Sequence, residues 1–210
     1  MKNFRLGRVT CICAFLILLP SLLTAGEATK QLRATIDSFV PIISNTPREE
    51  LQKNGMPERA RKLVLARFDF AEMTKRSLGQ HWTARTPAER SQFVGLFTDL
   101  MRQSYISKVD QHGGAKMVYR SETVDGDHAA VRTAIPLSNG SEMPLEYRMH
   151  NADARWQVYD LSIDGISLVS NYRAQFNKVI RTDSYETLVA KLKSHQFSAP
   201  AASPSGKVAP

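Results

Sequence analysis

Apolar residues recur at helical spacing near the start of the chain and predict three helices there. The first runs from Ala28 to Asn45, and Pro41 must kink or split it because proline offers no amide to the preceding turn. Thr46 and Glu49 then have the spacing of a capping box, which predicts the start of a short second helix. A third helix is expected from Pro57 to about Arg67.

Two more helices are predicted before the chain changes its period. Asp69, with Glu72 three residues later, has the form of a cap for a helix that ends at Gly79. The capping box Thr86-Pro87-Ala88-Glu89 begins the longest helix, which should run to about Val109. The apolar face of this helix is made by Phe93, Leu96, Phe97, Leu100, Met101, Ser104 and Tyr105.

At His112-Gly113-Gly114 the apolar period changes from about 3.6 residues to 2, which favours strands. The four candidates are Ala115–Thr123, Ala129–Leu137, Glu142–Asn151 and Arg155–Ile163. Asp125-Gly126 and Asn139-Gly140 are hairpin signals, because Asn, Asp and Gly tolerate positive φ. Links this short cannot form the crossover that a parallel pair requires, so the strands should form an antiparallel meander.

An Asp164-Gly165 turn joins the last strand to an amphipathic helix. The apolar side of this helix consists of Leu168, Val169, Tyr172, Phe176, Val179 and Ile180. Asp183 and Glu186 are expected to cap one more helix. From Ser194 to the end Ala, Ser, Pro and Gly predominate, which predicts a disordered tail over residues 194–210.

The order of these elements predicts an α+β domain over residues 26–193, in which helices pack against a four-stranded antiparallel sheet. Periodicity does not decide whether the two layers close on each other or hold a gap. A filled core would suit an exported structural or adaptor domain, and a gap would suit a carrier.

The first residues have the layout of a secretory signal peptide over residues 1–25. Lys2, Arg5 and Arg8 precede an apolar run that ends at Leu19, and small residues follow. This run is short for a membrane span, although an uncleaved N-terminal anchor is the alternative. Removing the leader leaves 25 basic against 20 acidic side chains, a formal charge of +5.

The predicted export also limits which reactive groups and partners the protein can have. Cys11 and Cys13 both lie in the leader, so the mature chain would have no thiol and no disulfide. Nucleic acid is not an expected partner of an exported protein, and a mildly positive field would favour anionic lipid surfaces or acidic proteins.

Candidate catalytic and metal-binding groups are few. The histidines are scattered and lack the i, i+4 spacing of a metal site, and no cofactor motif is present. Ser167 lies between a strand and a helix, as a hydrolase nucleophile does, and Asp183 and His195 follow it in the order of an esterase triad. However, Val169 stands where such an elbow needs a second glycine. An esterase that uses Ser167 is therefore the alternative, and Ser167 as a helix cap is favoured.

Several elements occur in an order that resembles the MlaC-type periplasmic carriers, soluble lipid carriers of MCE-type ABC transport systems. They are Phe68-Asp69-Phe70 with Met73, Leu78-Gly79 with Trp82, Thr86-Pro87-Ala88-Glu89-Arg90 with Phe93, and the stretch Arg155 to Phe176 with its W-x-V-Y-D strand and N-Y-R-x-x-F helix. Together these elements cover most of the mature chain. The tail beyond Ser194 is not a feature of that family.

The resemblance implies a curved antiparallel sheet with surrounding helices that enclose an apolar cavity for acyl chains. It implies a periplasmic carrier without catalytic activity. The cargo would be a phospholipid or, as in a related branch, a hopanoid-type lipid. The implied partners are an outer-membrane lipoprotein complex and an inner-membrane MCE-domain ABC transporter complex, with which such carriers keep the lipid asymmetry of the outer membrane.

Apolar residues on the stripes beside the sheet are the candidates for contact with the lipid, although core packing explains each of them equally well. They are Phe93, Phe97, Tyr105, Val131, Tyr147, Val169, Tyr172 and Phe176. Arg173 and Arg148 are the candidates for contact with a phosphate head group at the cavity mouth.

Overall fold

The computed structural model describes residues 26–106 and 117–197, and within them the chain forms seven α-helices and five β-strands. The helices are α1 (Glu27–Ser44), α2 (Arg48–Asn54), α3 (Glu58–Arg67), α4 (Phe70–Leu78), α5 (Pro87–Met101), α6 (Leu168–Thr182) and α7 (Tyr185–Lys193). The strands are β1 (Val118–Asp125), β2 (His128–Pro136), β3 (Glu142–Ala152), β4 (Arg155–Ile163) and β5 (Ile166–Ser167). The predicted signal peptide, both cysteines, His112 and residues 198–210 of the predicted tail lie outside the described residues.

The strands form one antiparallel sheet in the order β1-β2-β3-β4-β5, which is not closed into a barrel and confirms the α+β prediction. The prediction of four strands was one short. Asp164 and Gly165 both have positive φ, 50° and 78°, so the chain reverses within two residues. Ile166 and Ser167 then pair with Ile163 and Ser162 before α6 begins.

The other element limits lie close to the predicted ones. β4 has the predicted bounds, and β2 and β3 differ from the prediction by one residue at one or both ends. α1 continues through Pro41 without a break. After α5 a π-helical segment, Arg102–Ile106, continues the predicted long helix, whose last residues up to Val109 lie outside the described residues.

Two predicted helix caps are confirmed by hydrogen bonds. The Thr86 hydroxyl accepts from the Glu89 amide at 3.3 Å, and the Glu89 carboxylate accepts from the Thr86 amide at 2.7 Å. The Thr86 amide and hydroxyl both donate to the Glu89 carboxylate, and with the Arg85 charge they hold the pKa of this carboxyl below its ordinary value. The Asp69 carboxylate accepts from the Glu72 amide at 2.9 Å.

Two other cap predictions were wrong. The Thr46 hydroxyl donates to the Ile42 carbonyl at 2.6 Å, so it completes the last turn of α1, and Pro47 occupies the N-cap position of α2 without a side-chain bond. The cap of α7 is Ser184, which accepts from the Thr187 amide at 3.1 Å, rather than Asp183. In both cases the predicted residue lies one position before the N-cap residue, where its side chain cannot reach the free amides of the first turn.

A β-bulge in β4 changes which side chains of the strand lie on each face of the sheet. Met149 pairs with Val158 and Arg148 pairs with Asp160, so Tyr159 is the extra residue. Because cross-strand partners share a face, Val158 lies on the apolar face and Asp160 on the opposite, polar one. Beyond the bulge the apolar face continues through Leu161, the partner of Tyr147.

The buried residues form three clusters. The helical cluster consists of residues from α4, α5, α6 and α7. Within it, the rings of Phe93 and Phe97 make T-shaped contacts with the Phe176 ring, at centroid distances of 5.5 Å and 6.0 Å respectively. The sheet cluster packs α1, through Leu32, against the apolar face of the sheet. A small third cluster joins α1 to α3 through Phe39 and Ala60. The three clusters surround the region described next.

Candidate functional site

A partly open apolar cavity of about 160 Å³ lies where the three clusters meet. Its walls are mainly α1, α3, α4 and the apolar face of the sheet, with one residue each from α5 (Met101) and α6 (Leu168). The lining is apolar apart from Thr35, Arg67 and the Tyr147 hydroxyl. The lining residues are Leu32, Thr35, Ile36, Phe39, Val64, Arg67, Phe68, Phe70, Met73, Met101, Tyr147, Leu161 and Leu168. The predicted gap between sheet and helices is therefore present.

The α1 wall follows from a simple helical stripe. Leu32, Ile36 and Phe39 are spaced by four and three residues, so they share one face of the helix. Leu32 is 1% exposed and packs in the sheet cluster, whereas Phe39 packs in the third cluster. Between these two anchored ends, Ile36 is only partly buried and faces the cavity.

The segment between α3 and α4 is fixed to the sheet by its backbone. Phe68 forms a parallel bridge to Val158, and the Asp69 amide donates to the Val158 carbonyl at 2.9 Å. The Asp69 side chain also lies 3.1 Å from His150 Nε2. This attachment places the Phe68 and Phe70 rings, whose centroids are 5.9 Å apart, on the cavity wall.

Arg67 is the charged member of the described lining. Its Nε donates to Thr35 Oγ1 at 2.9 Å, and its Nη1 donates to Gln31 Oε1 at 3.0 Å. Nη1 also donates to the Trp156 carbonyl, so the guanidinium joins α3 to α1 and β4. Burial lowers the pKa of Arg67 from its ordinary value.

The sheet contributes one polar group to the lining. Tyr147 is 6% exposed, and burial raises the pKa of its phenol above the ordinary value. Its hydroxyl therefore stays protonated and can act as a hydrogen-bond donor at neutral pH.

A second, smaller hollow of about 70 Å³ is lined by residues of α3 and α5, among others. Val64 and Phe70 line both spaces. Leu65, which is 41% exposed, lines the smaller hollow together with Arg61.

Of the residues predicted to contact lipid, Tyr147 lines the cavity. Val131 lies on the same face of the sheet but packs in the sheet cluster. The helical cluster holds the remaining described ones, namely Phe93, Phe97, Val169, Tyr172 and Phe176. The side chain of Tyr105 lies outside the described residues. Contact of these residues with lipid stays a prediction.

The two predicted head-group arginines are exposed and lie apart from the cavity lining. Arg148 is on the polar face of the sheet, where its Nε lies 3.1 Å from Glu146 Oε1. Arg173 is on α6, and its side-chain stem lies beside Gly79. Their contact with a head group stays a prediction.

Sequence reasoning missed the α1 stripe and Arg67 as parts of the site. The signal for the stripe is present, since Leu32, Ile36 and Phe39 recur at helical spacing within the first predicted helix. No pattern indicated that this face borders a space, and nothing in the sequence showed that Arg67 points towards it.

Ser167 is the N-cap residue of α6. Its hydroxyl accepts from the Ser170 amide at 3.0 Å and donates to Asp160 Oδ2 at 2.6 Å, while the second Asp160 oxygen accepts from the Val169 amide at 3.1 Å. The predicted helix cap is confirmed, and neither bond of the hydroxyl involves a histidine.

Two searches for other kinds of site gave no candidate. In residues 26–106 and 117–197, no three His, Cys, Asp or Glu side chains are grouped as metal ligands. Over the same ranges, none of the helices combines the length and apolar character needed to span a bilayer.

A partly open, almost entirely apolar cavity in an α+β domain is suited to binding apolar ligands. The chain belongs to the MlaC protein family, whose family model matches residues 33–194. It is 21% identical over 187 residues to the intermembrane phospholipid transport system binding protein MlaC of Haemophilus influenzae, covering 87% of each chain. It is 25% identical over 99 residues to the toluene tolerance protein ttg2D of Pseudomonas putida, covering 43% of each chain.

The fold is also similar to that of a solved relative. A phospholipid-binding protein from Ralstonia solanacearum, determined in complex with a phospholipid, superposes with a TM-score of 0.71 and 25% sequence identity. The match covers 80% of this chain and 96% of that one.

Proposed function

We propose that this protein is a periplasmic lipid carrier that holds the acyl chains of a phospholipid in the cavity between α1, α3, α4 and the sheet. The observation that carries the proposal is the apolar cavity itself, in a family whose solved relative from Ralstonia solanacearum was determined with a phospholipid. The relative from Haemophilus influenzae is named as the binding protein of a phospholipid transport system, which supports the same function.

The energetic need for a carrier follows from the cost of exposing acyl chains to water. At ~0.8 kcal/mol per methylene, two chains of about a dozen carbons each cost on the order of 20 kcal/mol to hydrate. Spontaneous transfer through an aqueous compartment is therefore negligible. An apolar cavity removes this cost, and the carrier then transfers its cargo without making or breaking a covalent bond.

The size of the cavity implies that it enlarges when it loads. An apolar cavity of about 150 Å³ accommodates benzene, so the described cavity of about 160 Å³ holds roughly six carbons. A phospholipid with two long chains needs several times this space. Because Val64 and Phe70 line both the cavity and the neighbouring hollow, displacement of α3 is a direct way to enlarge the cavity.

The remaining parts of the proposal concern the protein's place in the cell. Residues 1–25 would direct export and be removed, leaving the carrier in the periplasm. There it would exchange lipid between an outer-membrane lipoprotein complex and an inner-membrane MCE-type ABC transporter. A hopanoid-type lipid is the other cargo to be tested.

Extraction of the purified protein with organic solvent, followed by mass spectrometry, tests the proposal. We expect close to one equivalent of a membrane lipid per chain after gentle purification, and uptake of lipid from vesicles by the delipidated protein. A protein that holds no lipid after purification and takes up none would contradict the proposal and favour a structural or adaptor role.

A further inference from the structure

Arg67 places a positive charge on the wall of the apolar cavity without a negative partner. Its three hydrogen-bond acceptors, a threonine hydroxyl, a glutamine amide oxygen and a backbone carbonyl, are all neutral. Within the described ranges no carboxylate lies at ion-pair distance from it, although other arginines of the same domain pair with one, such as Arg61 on the same helix with Glu58 at 2.6 Å.

This arrangement would become more favourable if a ligand supplied a negative charge. Arg67 is partly buried, and moving a charge partly out of water has a cost that a charged partner normally offsets. Burial lowers the pKa of Arg67, and among the described residues no acid offsets this effect. An anion bound in the cavity would supply the missing partner.

The guanidinium is oriented in a way that leaves donors for such an anion. Nε and Nη1 are engaged by α1 and β4, which fixes the plane of the group. Nη2 makes no hydrogen bond to any other described residue, so its two N–H groups are available. A guanidinium held by its other nitrogens is preorganised for phosphate or carboxylate oxygens.

The rest of the lining limits the anion to one with a large apolar part. Thr35 and the Tyr147 hydroxyl are the other polar groups, and the remaining ten members of the lining are aliphatic, aromatic or Met side chains. A free phosphate or a small carboxylate would leave this apolar surface uncovered. The complementary ligand therefore has one anionic group beside Arg67 and a hydrocarbon chain within the cavity.

We infer that Arg67 binds the anionic group of the cargo and makes the cavity selective for anionic amphiphiles over uncharged lipids. The anion is the phosphate of a phospholipid or the carboxylate of a fatty acid. This inference rests on the proposed function and deepens it, because an uncharged hopanoid-type hydrocarbon or a diacylglycerol would leave the Arg67 charge unpaired.

A competition experiment tests the inference on the delipidated full-length mature protein. The protein is incubated with vesicles that contain equal amounts of phosphatidylglycerol, a free fatty acid and diacylglycerol, and bound lipids are counted by native mass spectrometry. We expect the wild-type protein to prefer an anionic lipid to diacylglycerol by about tenfold or more, the effect of a hydrogen bond to a charged group. The ratio of phospholipid to fatty acid identifies the source of the anion.

Two variants separate recognition from structural support. Arg67→Met should reduce the preference for the anionic lipid to near unity, whereas Arg67→Lys, which keeps the charge, should retain part of it. Arg59→Met removes an exposed charge from the same helix and should behave like wild type. If Arg67 only ties α3 to α1 and β4, Arg67→Met would lower uptake of all three lipids equally.

The wild-type measurement alone can overturn the inference, even if Arg67→Met does not fold. Equal uptake of diacylglycerol and phosphatidylglycerol by the wild-type protein would show that the cavity does not select an anion. An unchanged preference in folded Arg67→Met would do the same. Failure of the proposed function looks different, because the wild-type protein would then take up none of the three lipids.

Discussion

Filling the cavity with the protein's own side chains should stabilise the lipid-free protein and abolish lipid binding. Ile36 on α1 and Leu161 on β4 line opposite walls of the cavity, and both are only partly buried. Replacing both with Phe adds six side-chain carbons to a space of about 160 Å³, and an apolar cavity of about this size holds the six carbons of benzene. The double variant should therefore fill the cavity.

The magnitude follows from the cost of an empty cavity. At about 24 cal/mol per Å³, a void of about 160 Å³ lowers the free energy of unfolding by roughly 4 kcal/mol. Strain from imperfect packing of the new rings should reduce this gain in the free energy of unfolding by about 1–3 kcal/mol. We expect the delipidated double variant to be more stable than delipidated wild type by about 1–3 kcal/mol, with little remaining lipid uptake.

Urea unfolding of the delipidated proteins measures the stability, and uptake from vesicles measures the binding. The control is Leu188→Phe, because Leu188 is fully buried in the helical cluster and does not line the cavity. It should lower the free energy of unfolding by about 1–3 kcal/mol and leave lipid uptake intact. A double variant that still binds one lipid per chain would refute the assignment of the cavity as the lipid site.

Three further substitutions test individual residues. Phe97→Ala should lower the free energy of unfolding of the delipidated protein by about 3–5 kcal/mol, since the ring is fully buried and packs edge-on against Tyr172; unchanged stability with lost lipid uptake would instead place the ring at the lipid. Asp160→Ala should cost about 1–3 kcal/mol in urea unfolding because it leaves the Val169 amide without its acceptor, and wild-type stability would contradict this role of the carboxylate. Ser167→Ala should cost about 1 kcal/mol by loss of the helix cap without changing lipid uptake, and an esterase activity present in wild type and lost in this variant would establish the alternative function.

The sheet could be predicted well because its turns contain recognisable dipeptide motifs. Asp125-Gly126, Asn139-Gly140 and Asp164-Gly165 fix the strand ends, and the glycines at 126, 140 and 165 all have positive φ in the structure. The bulge at Tyr159 is also visible in the sequence, because the apolar residues of this strand have even numbers before Tyr159 and odd numbers after it. The two residues of β5 were missed since so short a strand has no period of its own.

The caps show how one pattern can give different outcomes. Thr86 and Thr46 are both followed by Pro and, three residues later, by Glu. Thr86 follows a turn and is free to cap α5, whereas Thr46 follows α1 so closely that its hydroxyl bonds back to the Ile42 carbonyl. The competing acceptor depends on the preceding helix and cannot be recognised from the motif alone.

The existence of a cavity could be expected from the family resemblance, but its walls could not be read from periodicity. A helical stripe shows which residues point inwards and not whether packed side chains or a space lies opposite them. The aromatic residues of α5 and α6 were the obvious candidates, yet in the structure Phe93 and Phe97 both pack against Phe176. The space instead borders the less aromatic stripe of α1.

Photocrosslinking tests the central claim most directly, namely that acyl chains lie between α1, α3, α4 and the sheet. A phospholipid with a diazirine in the middle of one acyl chain is loaded into the delipidated protein, irradiated, and the modified peptides are mapped by mass spectrometry. We predict that the crosslinks fall on the cavity lining, with Ile36, Phe39, Phe68 and Tyr147 as the main positions. Crosslinks confined to α7 or to the polar face of the sheet would contradict the account.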